Sequence, residues 1–363
     1  MKDKAPHSKF SFSCQPDFSV YSSESDHKFG LNSTLIEFPL EFKTTLDQDP
    51  FVVKPKSPSD QESAIENPFM SATDRGRQVA GQITAYATLI LSAQYRTHAF
   101  HVLIIESSAR LIRWDRGGAL VTAPISYDQE SHLFDFLIRY DRATRPVRGH
   151  DLTVRLPTEE EERDARTLAD LADTESLLTI DIPDPDLPQK TNRYVISAPY
   201  ACPDIPVGRW TRTSIAYDVQ RKKRVFMKDS WRVLRDDITP EGEVYAKLHQ
   251  HAVPNIPHCS HAADVGDETY HKSRTHEFVG KYGERSFLTQ IVPHRHYRLV
   301  LDTIGRELQK FKRSWEMLNA VHASLIGELT NCLQFGSSLT QLQLMKPLTI
   351  SVFFTVTLAW GIL

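Results

Sequence analysis

Cysteine is scarce in this 363-residue chain, and its four copies, Cys14, Cys202, Cys259 and Cys332, are scattered, with no Cys-x-x-Cys pair. That spacing excludes a disulfide scaffold and a cysteine-rich zinc site, and it suits a reducing compartment. A charge bias is missing too. Lys and Arg total 43 against 46 Asp and Glu, a formal net charge of −3, so bulk electrostatics demand neither a nucleic-acid nor a membrane partner. No apolar stretch of the signal-peptide kind follows Met1, so the protein is expected to be intracellular, with no choice between cytoplasm and nucleus. The sequence contains no internal repeat, no His-Arg-Asp triplet and no Asp-Phe-Gly triplet.

What the chain does have is a globular composition, 40% hydrophobic and 25% charged, and enough length for two or three domains with sizeable cores. From Asp74 onward Val79, Ile83, Tyr86, Ala87 and Ile90 recur three or four apart, the spacing of an amphipathic helix. AFHVLIIES and ARLIRWDRGGALVT read as strands, the second turning at Gly117-Gly118, and SHLFDFLIRYDRA as another helix. Within IRWDRGG, Arg113, Asp115 and Arg116 are expected to form a salt-bridged strand end. The run TEEEERDARTLADLAD is expected to be a solvated helix. IDIPDPDLPQK, acidic and rich in proline, reads as a linker or domain boundary. Strand-like RYVISAPY, SIAYDV and RVFMKDSW follow. Then comes a helix opening at Thr239-Pro240-Glu241, with the threonine as N-cap and proline at the first helical position, and after a polar loop the strand-like YRLVLDTIG. Pro347–Leu363 carries no charge; a tail anchor, a buried strand and a reading-frame error at the gene's end are three readings of it.

Lys228 poses the sharpest question. It follows Val225, Phe226 and Met227 in a strand that reads as buried, and an unpaired ammonium there would be costly. The acids on the next helix are Glu241 and Glu243, and Glu243, which directly precedes Val244 and adjoins the Val244/Leu248 apolar stripe, is the expected partner. A lysine on a strand paired with a glutamate from the following helix is the arrangement by which a kinase smaller lobe holds the α- and β-phosphates of ATP.

The wording of the segments is more specific than that spacing. GRWTRTSIAYDV, VFMKDSWR, PEGEVYAKL, AVPNIP and RLVLDTIGREL, in this order, resemble the fungal-type protein kinase family from about Arg193 to Gly327. RGRQVAGQITAYA, AQYRTHAFHVLII and ARLIRWDRGGALVT resemble the region that precedes the kinase lobe in the same family. The resemblance implies an α+β chain, with an α/β domain over residues 1–150, an acidic helix and linker over 151–190, and a kinase-like N-lobe of antiparallel sheet and one helix over 191–327. By the same resemblance 328–363 is expected to be a divergent hydrophobic tail, with most of the C-lobe expected to be missing. It implies ATP and Mg²⁺ as cofactors and Ser/Thr phosphotransfer in intact members, on a protein substrate that the sequence does not name. Gly208 falls in the nucleotide turn, Lys228 at the phosphate lysine, Glu243 at its ion-pair partner and Val300 to Ile304 near the adenine hinge. Because the catalytic-loop and metal-binding aspartates of such enzymes are absent, the chain is expected to be inactive in transfer and at best a weak nucleotide binder.

A second chemistry is written near the N-terminus. Pro16-Asp17 and, 24 residues on, Glu41-Phe42-Lys43 resemble the PD…(D/E)xK pattern of restriction-endonuclease-like proteins. Two carboxylates on adjacent strands would hold Mg²⁺ and the lysine would orient the attacking water, with Gln78 or Gln82 on the following helix. A metal-dependent nuclease-like module acting on nucleic acid is therefore one alternative function, and a non-catalytic interaction module is another.

Overall fold

Two groups of strands, one on either side of residue 150, build two β-sheets, accompanied by five α-helices, in the computed structural model. It describes residues 15–23, 31–51, 69–172, 176–184, 187, 189–197, 205–278, 291–305 and 308–335. The uncharged stretch at 347–363 lies outside the described residues.

In the first sheet β1 (Phe18–Tyr21), β2 (Ile36–Lys43), β3 (Ala99–Ile105), β4 (Ser108–Asp115) and β5 (Gly118–Val121) lie in chain order, and β6 (Ile125–Ser126) pairs with β4. β1 runs antiparallel to β2, but β2 and β3 are parallel. A parallel pair needs a crossover, and helix α1 (Asp74–Ala93) supplies it. Thr73 caps α1 by accepting a hydrogen bond from the Gly76 amide, and the expected stripe of Val79, Ile83, Ala87 and Ile90 is buried against Ile36, Leu103, Ile105 and Ile112. Alternation along β3 sends Ala99, Leu103 and Ile105 toward α1, and Phe100, Val102 and Ile104 toward α2 (His132–Arg142) on the other face. The turn after β4 falls at Gly117-Gly118, where Gly118 has φ of 145°.

The second sheet has seven strands, all antiparallel to their neighbours: β7 (Val154–Arg155), β8 (Leu178–Pro183), β9 (Thr191–Ile196), β10 (Arg212–Asp218), β11 (Lys223–Val233), β12 (Cys259–Asp264) and β13 (His294–Leu301). Their spatial order is β12-β13-β11-β10-β9-β8-β7. The stretch expected to be a linker is in part β8: Ile180 and Ile182 alternate with polar neighbours and are fully buried. Their two-residue period outweighs the prolines, which cluster at the strand's end. The acidic run is α3 (Glu159–Ala169), opened by a capping box between Thr158 and Glu161. It is solvated on one side only. Glu161, Ala165 and Ala169, four apart, are buried, and Glu161 binds Arg155 and Arg193.

Helix α4 (Glu241–Gln250) packs on β12, and α5 (Ser314–Phe335) follows β13. Pro240 occupies the N-cap of α4, one residue later than expected for Thr239, and α4 has no side-chain cap. Helix α5 leaves Trp315, Leu318, Leu325 and Ile326 exposed. Among the described residues no helix is long and apolar enough to cross a membrane. The two sheets share a core: Trp210 and Trp231 pack among the α1 residues, and Arg212 donates to the carbonyls of Leu91 and Gln94 at the end of α1.

Candidate nucleotide site

Strand alternation places Lys228. Along β11, Val225, Met227, Asp229 and Trp231 point to one face, while Phe226, Lys228 and Ser230 point to the other, where α4 lies. Lys228 stands opposite Thr213 on β10 and Leu299 on β13. Its Nζ donates to both carboxylate oxygens of Glu241, at 3.0 Å and 2.7 Å, and the two side chains are 15% and 8% exposed. The lysine is thus paired as its burial requires.

The partner is Glu241, not the expected Glu243, which is exposed. The reason is the close approach of the helix start to the sheet. The Gly242 amide donates to the Tyr297 hydroxyl at 2.9 Å, and a Cβ at Gly242 would collide with the Ala262 side chain. With Gly242 pressed on β12 and β13, the preceding residue faces Lys228, and Glu243, two residues or about 200° round the helix, turns to solvent. The buried positions of α4 are Glu241 and Tyr245, while Val244 and Leu248 are both half-buried. Burial, then the Glu241 carboxylate, push the Tyr245 hydroxyl well above its ordinary pKa. The glycine between the two glutamates was the sequence signal for this rotation.

Gly208 lies in the turn between β9 and β10, with φ of 91° and open space where a side chain would be. Its amide donates to the Arg116 carbonyl at 2.8 Å, which ties the turn to the first sheet. Arg209 beside it brings a second cation to 4.0 Å from Glu241. Arg116 itself is buried, its guanidinium 4.3 Å from the Trp210 ring centre and 5.4 Å from that of Trp231. The Asp115 carboxylate takes the Arg113 bond at 2.7 Å, as expected for the strand end. Of the hinge segment, Val300 is a buried core residue. Asp302 binds Arg221, Lys223 and His258, so Thr303 and Ile304 are where the chain leaves the sheet.

Behind Lys228, on the opposite face of β11, lies a network that the sequence reading missed. Arg298 donates to Asp229 and to Asp151, both at 2.8 Å, and His296 Nε2 meets Asp229 at 2.8 Å. His271 and His296 approach each other through their Nδ1 atoms at 3.0 Å, with ring planes 14° apart, and together with a carboxylate oxygen of Asp151 their nitrogens lie within 4.8 Å of one another. Burial holds His271 below the usual histidine range, against the opposing pull of the Asp151 carboxylate. Direct cross-strand pairing of Asp229 with Arg298 follows from the register of β11 and β13, information that no local pattern contains.

The N-terminal quartet also meets. Glu41 Oε1 accepts from Lys43 Nζ and, at 2.5 Å, from Gln82 Nε2. Asp17 Oδ2 accepts from the Phe42 amide at 2.8 Å. Of the two glutamines considered, Gln78 is exposed and only Gln82 reaches the cluster. An apolar hollow of about 560 Å³, lined by Phe100, Leu111, Phe136 and Tyr140, lies on the α2 face of the first sheet, away from both sites.

Neither a curated protein nor a solved structure matches the chain. The model of one family, the fungal protein kinases, does match, over residues 65–330. That span holds α1, the last four strands of the first sheet, the whole second sheet, Gly208, Lys228 and Glu241. Most of the chain lies within it, and the protein belongs to the fungal protein kinase family.

Proposed function

We propose that the second sheet binds ATP on the face that carries Lys228. The Lys228–Glu241 pair is the observation that carries this reading: an ammonium fixed by a helix-borne carboxylate on the strand and helix that the kinase arrangement assigns to phosphate binding. The positive φ and the unfilled space at Gly208 let a phosphate approach the backbone of the β9–β10 turn. Thr303 and Ile304, beyond the end of β13, take the adenine side.

Lys228 binds and orients the phosphates, and Glu241 keeps its ammonium directed and neutralised. The groups by which kinases hold Mg²⁺ and receive a hydroxyl proton, an Asp-Phe-Gly aspartate, a catalytic-loop asparagine and a His-Arg-Asp base, are not among the residues of this site. The proposed activity of these residues is therefore nucleotide binding, with Ser/Thr phosphotransfer belonging to family members that carry those groups. Thermal unfolding with and without ATP tests this. The parent should be stabilised and Lys228→Ala should lose the shift, while equal shifts in the two, or none in the parent, would refute nucleotide binding at Lys228.

A further inference from the structure

Asp151, His271 and His296 take no part in the nucleotide site, because His296 and Arg298 project from β13 to the face of the second sheet opposite Lys228. We propose that these three residues form a binding site for one Zn²⁺ ion, held by two imidazole nitrogens and a carboxylate oxygen.

The spacing fits a small ion. All three residues are buried, and each offers one ligand atom such that the three atoms lie within 4.8 Å of one another. Among the described residues no other group of His, Cys, Asp and Glu meets this spacing. His296 Nδ1 stands 3.0 Å from His271 Nδ1 and 3.8 Å from Asp151 Oδ2. Around a tetrahedral zinc with bonds of about 2.0–2.2 Å, ligand atoms lie about 3.4 Å apart, between these two values. Without the ion, one hydrogen between the two Nδ1 atoms fills the gap. With it, the His271 ring turns on its loop and carries its hydrogen on Nε2, which is 3.8 Å from Asp151 Oδ1.

The groups behind the ligands prepare them. His296 Nε2 meets Asp229 Oδ1 at 2.8 Å. An ionised carboxylate only accepts, so the hydrogen sits on Nε2 and the Nδ1 lone pair faces His271 and Asp151. Trp231 stacks on the same ring, with centres 4.9 Å apart and planes 3° apart, and fixes its orientation. Asp151 is steadied from both sides: Oδ1 accepts from the Thr153 amide and hydroxyl, and Oδ2 from Arg298 at 2.8 Å, which leaves Oδ2 a second lone pair for the ion.

His271 comes from the connection between β12 and β13, where its carbonyl accepts from the His296 amide at 2.9 Å. A Cβ at Gly266 would strike the His271 ring, so the connection is shaped around this imidazole. Residues 266–269 beside it are exposed, which gives an ion a route in. Two nitrogens and one oxygen suit zinc better than the hard cations, which take oxygen throughout. The bound ion would clamp the β12–β13 connection and the turn at Asp151 onto β13.

Cobalt substitution of the metal-stripped full chain tests the site. The parent should bind one Co²⁺ per chain with the visible bands of a four-coordinate ion, ZnCl₂ should displace it, and Zn²⁺ should raise the midpoint of thermal unfolding. X-ray absorption of the Zn²⁺-loaded parent should show two imidazoles on the metal and no sulfur. His271→Ala should weaken Co²⁺ binding at least about tenfold and lose the Zn²⁺ stabilisation. His258→Ala, which breaks the neighbouring His249–His258 ring pair at an exposed position, should keep both. Should His271→Ala fail to fold, the imidazole count in the parent and the His258→Ala result decide. A parent that takes up no ion, fewer than two imidazoles on the metal, binding that survives in His271→Ala, or binding lost in His258→Ala overturns the proposal.

Discussion

Exchanging the members of the Lys228–Glu241 pair one at a time and together separates a buried ion pair from a chance approach. At about 2.8 Å and an effective dielectric of about 20 the gross attraction is roughly 6 kcal/mol, most of which offsets the desolvation of both groups. Removing one partner of a fully buried pair costs about 3–5 kcal/mol. Lys228 keeps 15% of its side chain exposed and Arg209 stands 4.0 Å from Glu241, so the cost here should be smaller. Lys228→Met should therefore cost about 2 kcal/mol and Glu241→Leu about 2–3 kcal/mol. The double change Lys228→Met/Glu241→Leu should cost no more than about 1 kcal/mol, because both buried charges leave together. The coupling within the cycle should then be about 3 kcal/mol or more, against less than about 0.5 kcal/mol for Lys228 with the exposed Glu243. Urea unfolding followed by tryptophan fluorescence gives all the terms. Equal coupling to Glu243, or none to Glu241, would show that the helix start is rotated differently from the arrangement described.

Two further outcomes follow from buried charges. Burial raises the Glu37 carboxyl, but the His150 hydrogen bond, the Arg96 charge and the Tyr140 hydroxyl outweigh it and hold the group at about 2. Its contribution, about 3 kcal/mol for a shift of this size, is present above the unfolded-state value near 4.5 and is lost as pH falls toward 2. Glu37→Gln should accordingly flatten the stability profile between pH 5 and 2, and parallel profiles would contradict the assignment. In the network behind Lys228, Arg298→Met leaves Asp151 and Asp229 buried without their shared cation and should cost about 3–5 kcal/mol, with Arg298→Lys only a partial rescue because an ammonium cannot span both carboxylates in the same geometry. A loss below about 1 kcal/mol on chemical denaturation of Arg298→Met would refute the structural role of the network.

Local pattern determined much of this protein. The period of three to four residues from Val79 to Ile90 specified α1, the two-residue period of VFMKDSWR specified β11, and Gly117-Gly118 specified a hairpin, because each signal is carried by neighbours in the chain. The need to pair a lysine within an apolar strand was legible for the same reason. Which glutamate answers it was not, since the packing of Gly242 on Ala262 and Tyr297 sets the rotation of α4, and those partners lie 20 and 55 residues away. Tertiary structure likewise turned the first four residues of a proline-rich stretch into part of β8, drew Gln82 rather than Gln78 to Glu41, and set Arg298 between Asp151 and Asp229. Sequence period fixes which face a side chain takes. Only register and helix rotation decide what it meets there, and these depend on contacts between segments that no local window contains.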